Sequence, residues 1–166
     1  MEAIFNRRSI RKYTEQPVSD EMVTDLLRAA MTAPSAQNQQ PWGFVVARDK
    51  RLLEGLAAAH PYSGMIREAP VAIIVCGDLS RERSPDFWVQ DCAAATENLL
   101  IAACSLGLGA VWTGTYPRKE RMDNVRSLVA LPPHIVPFAV VPVGHPAEHP
   151  VPADRYDARR VHIDRW

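Results

Sequence analysis

Residues 69–76, Ala-Pro-Val-Ala-Ile-Ile-Val-Cys, carry no charged, amide or hydroxyl side chain. A strand with one wet face would alternate polar and apolar residues. A strand apolar on both faces must lie inside a sheet that is covered on both sides. Gly77-Asp78 closes the run. The chain must therefore supply helices for two faces. Ser19 is a suitable N-cap, with Asp20 and Glu21 in the first turn. Val23, Leu26, Leu27, Ala30 and Ala33 then recur at helical spacing until Pro34 ends the pattern. Residues 49–60 place Leu52, Leu53, Leu56 and Ala59 on one face, and Pro61-Tyr62-Ser63-Gly64 breaks them off. Ser84-Pro85-Asp86 predicts the start of the longest helix, with a cap and a first-turn proline. Trp88, Cys92, Ala95, Leu99, Ala103 and Leu106 line one side of it. Ala93, Ala94, Leu100, Ile101 and Ala102 extend the apolar surface almost all round, which predicts a buried helix, partly in a subunit interface. Further helices are expected over residues 2–8 and 118–128.

Other strands are expected from Trp42 through Ala47, from Ala110 into a turn at Gly114, and over Val136–Gly144. Pro137 and Pro142 suit an edge or irregular position for the last. Elements alternate irregularly, with no repeat, linker or hairpin signal. A chain of 166 residues fits one domain, residues 1–166. The expected class is α+β, a central sheet flanked by helices. The tail from His145 to Trp166 has no helical period, but Val161 and Trp166 argue that it is tied down, as an arm on a partner would be.

Nineteen basic and nineteen acidic residues give a net charge of zero, against a nucleic-acid binder. Three scattered cysteines, Cys76, Cys92 and Cys104, form neither a disulfide framework nor a metal knuckle, and read as buried thiols. No apolar run suits a signal peptide or a membrane helix, so a cytoplasmic protein is expected. His145 and His149 are four apart but lie among prolines, so no helix pairs them on a metal. Asp91 and Glu97 read as solvent or interface charges on the long helix. Gly107-Leu108-Gly109 follows a helix rather than a strand, the wrong setting for a dinucleotide fingerprint.

Against that neutral background, Arg7-Arg8-Ser9-Ile10-Arg11-Lys12-Tyr13 packs four cations into six residues. Arginine with serine suits phosphate and hydroxyl groups, although a charge cluster at a helix end is also an ordinary solvated terminus. Ala33-Pro34-Ser35-Ala36-Gln37-Asn38-Gln39-Gln40-Pro41-Trp42 is rich in amides and hydroxyls between prolines. These two segments, with Leu106-Gly107-Leu108-Gly109-Ala110-Val111-Trp112-Thr113-Gly114 and the ending Arg160-Val161-His162-Ile163-Asp164-Arg165-Trp166, resemble the nitroreductase family of FMN-dependent oxidoreductases over nearly the whole chain.

The resemblance implies an intertwined homodimer with a central mixed, largely antiparallel sheet, a long buried interface helix and one FMN site at each interface. It implies that Arg7, Arg8 and Ser9 meet the ribityl chain and phosphate, and that Arg11 approaches the pyrimidine end of the ring. Asn38 and Gln40 would reach the ring edge, while Pro34, Ser35 and Ala36 would come from the other subunit. Thr113 and Gly114 would lie near the reactive ring nitrogen N5, with the Gly114 N–H as donor. Arg155 would be a further phosphate ligand and Arg160 a second candidate. No side chain is expected to be catalytic in its own right: the flavin carries the chemistry, and Arg11 and Gly114 tune it. NADH or NADPH would bind transiently and a small acceptor, such as a nitroaromatic or quinone, would follow into the same place. The chain departs from many members at Ala36, where a second serine is common, and at Thr113, where some carry an acid. No asparagine and lysine stand near Tyr62–Met65, where larger members use them. A flavin-sequestering module, a different flavin reaction on the same fold, or a cofactor-free interaction domain are the alternatives.

Overall fold

The structure, a computed structural model, describes residues 1–166. In chain order it comprises α1 (Glu2–Asn6), α2 (Asp20–Met31), β1 (Trp42–Ala47), α3 (Lys50–Ala58), β2 (Val71–Asp78), α4 (Trp88–Ser105), β3 (Gly109–Ala110), β4 (Thr113–Gly114), α5 (Lys119–Leu128) and β5 (Ile135–Gly144). The five strands form one sheet in the order β1-β2-β5-β3, with β4 also pairing with β5. All strand pairs are antiparallel. A single parallel bridge joins Ser9 to Ala110.

β2 lies inside the sheet, and Val71 to Gly77 are all buried. Its side chains divide as the pleat requires. Val71, Ile73 and Val75 pack with α2 and α4 in one core, while Ala72, Ile74 and Cys76 face a second core with α3 and α5. Each large aliphatic side chain buried in this way contributes roughly 1.5–3 kcal/mol. Burial also pushes the Cys76 thiol up to about 12.

One expectation is narrowed and one corrected. Of the edge or irregular position expected for β5, the structure realises the irregular one: β5 pairs with β2 on one side and with β3 and β4 on the other, and its register shifts at Val75/Cys76. Its prolines fall where no amide is needed. Pro142 turns its polar edge toward the interval between β3 and β4, where the Tyr13 hydroxyl reaches its carbonyl at 3.4 Å. Pro137 sits beside the irregularity at Val75/Cys76. α4 starts at Trp88 rather than after Ser84, because Asp86 has φ of 69°, outside the helical region. Within one chain the tail lies open, with Val161 54% exposed and Trp166 100% exposed, which leaves its apolar residues free for the partner expected to hold it. No helix is long and apolar enough to cross a membrane.

Candidate functional site

The N-terminal cations are carried on an extended segment docked against the end of β3. α1 stops at Asn6, and Arg7 turns into extended backbone. The Ile10 N–H donates to the Ala110 carbonyl at 3.0 Å, and the Ile10 side chain is buried over Gly109. A Cβ on Gly109 would stand 2.6 Å from Ile10, so only glycine permits this approach. With Ile10 facing inward, Ser9 and Arg11 face outward. The far end of the segment is held by residues 145–148. Thr14 N–H donates to the His145 carbonyl and Ala147 N–H to the Lys12 carbonyl, both at 2.9 Å. Glu148 Oε1 accepts from the amides of Arg11 (2.5 Å) and Lys12 (3.2 Å). Tyr13 donates its hydroxyl to the Ile10 carbonyl at 2.7 Å, and burial raises its pKa.

The segment borders three concavities. One of about 350 Å³ is lined by Arg7, Arg8, Ile10, Cys104, Leu108 and His149, among others. Beside it, Arg7 and Arg8 share a hollow of about 290 Å³ with Arg155. Arg11 belongs to a third, of about 370 Å³, with Thr113, Gly114, Val111, Trp112, His60, Tyr62 and Met65. Volumes of this size suit small-molecule sites. Arg7 is held only by Glu97 at 3.1 Å, and the Glu97 side chain is 47% exposed. Such a pair contributes little and can be exchanged for another anion. Arg8 Nη1 donates to the Phe5 and Arg7 carbonyls, but its buried Nη2 has no partner. An unsatisfied buried guanidinium nitrogen is costly, and an anionic oxygen would satisfy it.

The third concavity has a firm floor. Thr113 Oγ1 donates to the Val140 carbonyl at 2.6 Å. On either side of β4, Trp112 and Tyr116 pack edge-on against Phe138 and Trp88 respectively. His60 stands at the rim, and its Nδ1 accepts from the Tyr62 amide at 2.8 Å. Burial, and then the charge of Arg121, lower its pKa, which favours the neutral ring. The sequence reading reached this wall only as the stretch Tyr62–Met65, where the asparagine and lysine that larger members use are missing; His60 was not singled out.

The amide-rich loop lies elsewhere in the same chain. Pro34, Ser35, Ala36, Asn38 and Gln40 line none of these three concavities. The loop is nevertheless tightly held. Asp91, expected at a solvent or interface position, is only 4% exposed. Its carboxylate accepts from the Ala36 amide (3.0 Å) and from Gln39 Nε2 (2.7 Å). Gln39 Oε1 accepts in turn from the amides of Arg83 and Ser84, at 2.8 and 3.1 Å. Ser35 Oγ accepts from the Gln40 amide at 3.0 Å. This network sustains left-handed backbone at Gln37, Asn38 and Gln40, three non-glycine residues with φ of 47–51°. Asn38 and Gln40 are left exposed. A lone carboxylate between Trp88 and Cys92 on an apolar helix was the available signal for Asp91. Arg160, by contrast, is 83% exposed at its side chain and meets only Asp157, at 3.5 Å.

Residues 4–60 and 56–145 match a protein-family model described as the Nitroreductase family. A protein of Methanothermobacter thermautotrophicus is 51% identical over 100% of this chain and 87% of its own length; its provisional name is NADH dehydrogenase/NAD(P)H nitroreductase. A crystal structure from Parabacteroides distasonis with the same provisional name has a TM-score of 0.96 and 43% identity, covering 99% of this chain and 97% of that one. An FMN-dependent nitroreductase of Clostridium difficile has a TM-score of 0.93 and 26% identity, each chain covered in full.

Proposed function

The chain belongs to the nitroreductase family, and from that premise we propose that it holds one FMN between the N-terminal cations of one protomer and the Pro34–Gln40 loop of a second copy. It is an NAD(P)H-dependent oxidoreductase of the FMN-binding kind. The finer assignments follow from its own residues. The observation that carries them is that one docked segment presents Arg7 and Arg8 to one set of hollows and Arg11 to another, the latter floored by Thr113 and Gly114.

Arg8, with its unpartnered Nη2, and Arg7, released from Glu97, bind the phosphate with Arg155. Ser9, exposed beside them, donates to the ribityl hydroxyls. Arg11 sets positive charge at the pyrimidine end of the ring, where negative charge gathers on reduction. Gly114 offers its amide toward N5, and having no side chain it leaves the ring's face open. Asn38, Gln40, Pro34, Ser35 and Ala36 close the site from the partner protomer, and Arg160 joins the phosphate when the tail crosses over. Bound FMN supplies two-electron transfer chemistry. Residues 1–166 thus act as one flavin-binding unit whose site is complete only in the homodimer.

NADH or NADPH binds over the open face and leaves before a small acceptor, such as a nitroaromatic or quinone, occupies the same place. Two measurements test this reading. The purified protein is expected to be yellow and to bleach rapidly with NADH or NADPH under argon. A yellow protein that does not bleach would be a flavin carrier, and a colourless one that ignores added FMN would remove the assignment. Initial-rate plots at several acceptor concentrations are expected to run parallel; intersecting lines would rule out the shared place.

A further inference from the structure

Arg121 has no part in the roles assigned so far, yet it reaches the floor of the Arg11 concavity. It extends from the first turn of α5, half-buried, and its Nη1 donates to the Gly114 carbonyl at 3.0 Å. The directions on β4 give that bond its meaning. Thr113 stands opposite Val140, and the Thr115 amide donates to the Phe138 carbonyl at 3.1 Å, so both neighbours of Gly114 direct their polar groups at β5. In an extended strand the N–H and carbonyl of one residue point to the same side, and the side alternates from residue to residue. Gly114 therefore turns both groups away from β5. Arg121 takes the carbonyl, and the N–H opens on the same edge, toward the concavity shared with Arg11 and Tyr62.

β4 is only two residues long and pairs with β5 alone. The Gly114 carbonyl lies in one peptide plane with the Thr115 N–H, so Arg121 and the Phe138 carbonyl hold that plane from its two sides. A glycine with no Cβ contact within 4 Å has ample room to rotate. The Arg121 charge is also felt at His60, which lines a neighbouring hollow with it, and helps to keep that ring neutral.

We propose that Arg121 is a positioning residue for the flavin edge: its bond to the Gly114 carbonyl, with the Thr115–Phe138 bond, fixes the peptide plane that follows Gly114, against which the Gly114 N–H turns toward the ring, and its charge steadies the negative charge the ring gains on reduction. This rests on the FMN reading above. No bond is made or broken by Arg121, so its signature is a shift in redox equilibrium.

The test uses the full chain loaded with FMN, in the parent form and as Arg121→Met and Arg121→Lys. FMN affinity is followed by flavin fluorescence, and the midpoint potential by titration against a dye of known potential. Arg121→Met is expected to disfavour the reduced form about tenfold, equivalent to about 30 mV for a two-electron couple. Arg121→Lys, which keeps a charged donor, is expected to stay within about threefold of the parent. In flavin-free protein, the His60 imidazole followed by NMR is expected to titrate at higher pH in Arg121→Met than in the parent. A Met variant that binds FMN with the parent's potential would overturn the inference while leaving the FMN reading intact. If the Met variant does not fold, a Lys variant shifted by tenfold or more overturns it equally. A parent that takes up no FMN would overturn the FMN reading, and this inference with it.

Discussion

The Pro34–Gln40 loop and the 150–166 tail are both proposed to complete a flavin site, but they are built on opposite principles. The loop is short, polar and fixed. A buried carboxylate, Asp91, satisfies it from below, and three left-handed residues hold its shape. The tail is long, carries exposed Val151, Tyr156, Val161, Ile163 and Trp166, and makes hydrogen bonds mostly within itself. A polar loop can be organised by its own chain because hydrogen bonds are local and directional. A tail with five large apolar side chains exposed is organised only by a surface that covers them, and one protomer does not supply that surface.

Replacing Asp91 with alanine should break this contrast most strongly. It strands the Ala36 amide and Gln39 Nε2 in a buried place. Urea unfolding should show a loss of about 3 kcal/mol, and FMN retention should fall with it. High pH is the next lever, and it acts on the core and on Tyr13 rather than on the tail. Burial raises Cys76 from 9.0 to about 12 and raises Cys92 further. These thiols stay protonated in the fold and ionise first in the unfolded chain. Their contribution is complete below pH 9.0 and declines as pH rises toward 12. Unfolding free energy should fall by about 1.4 kcal/mol per pH unit for each such group in that window. The same slope should persist when the tail is removed.

Glu148→Ala frees the Arg11 and Lys12 amides where the tail begins. A loss of about 1 kcal/mol is expected in urea, with a larger relative loss of FMN affinity than of stability. Deleting residues 150–166 should change the unfolding free energy of the chain least, by under about 0.5 kcal/mol. It should instead weaken self-association, read by sedimentation. A large fall in monomer stability would show that the tail has a surface within its own chain after all.

What could be read from the sequence divides along a related line. The run at 69–76 announced a covered central strand, because both faces of β2 are written in its own residues. The Ser19 cap was legible for the same local reason; it accepts from the amide three residues on. The prolines of β5 left an edge and an irregular position both open, because the cost of a proline depends on what lies opposite it, and the interval between β3 and β4 is a tertiary fact. Asp91 was misjudged because a carboxylate on an apolar helix says nothing of its partners 52 and 55 residues away. The start of α4 was placed early because Ser84-Pro85 offers a good cap, but the Ser84 amide is taken by Gln39. In the site, the cations were visible as charge density. Glu148, His60 and Arg121 become visible only when the chain folds back on them.

Sedimentation velocity recorded in the flavin absorption band tests the central claim most directly. A yellow boundary at twice the 18.5 kDa chain mass, with one flavin per chain, is the result this account predicts. A yellow boundary at the mass of a single chain, or a dimer boundary without flavin colour after FMN is added, would contradict it.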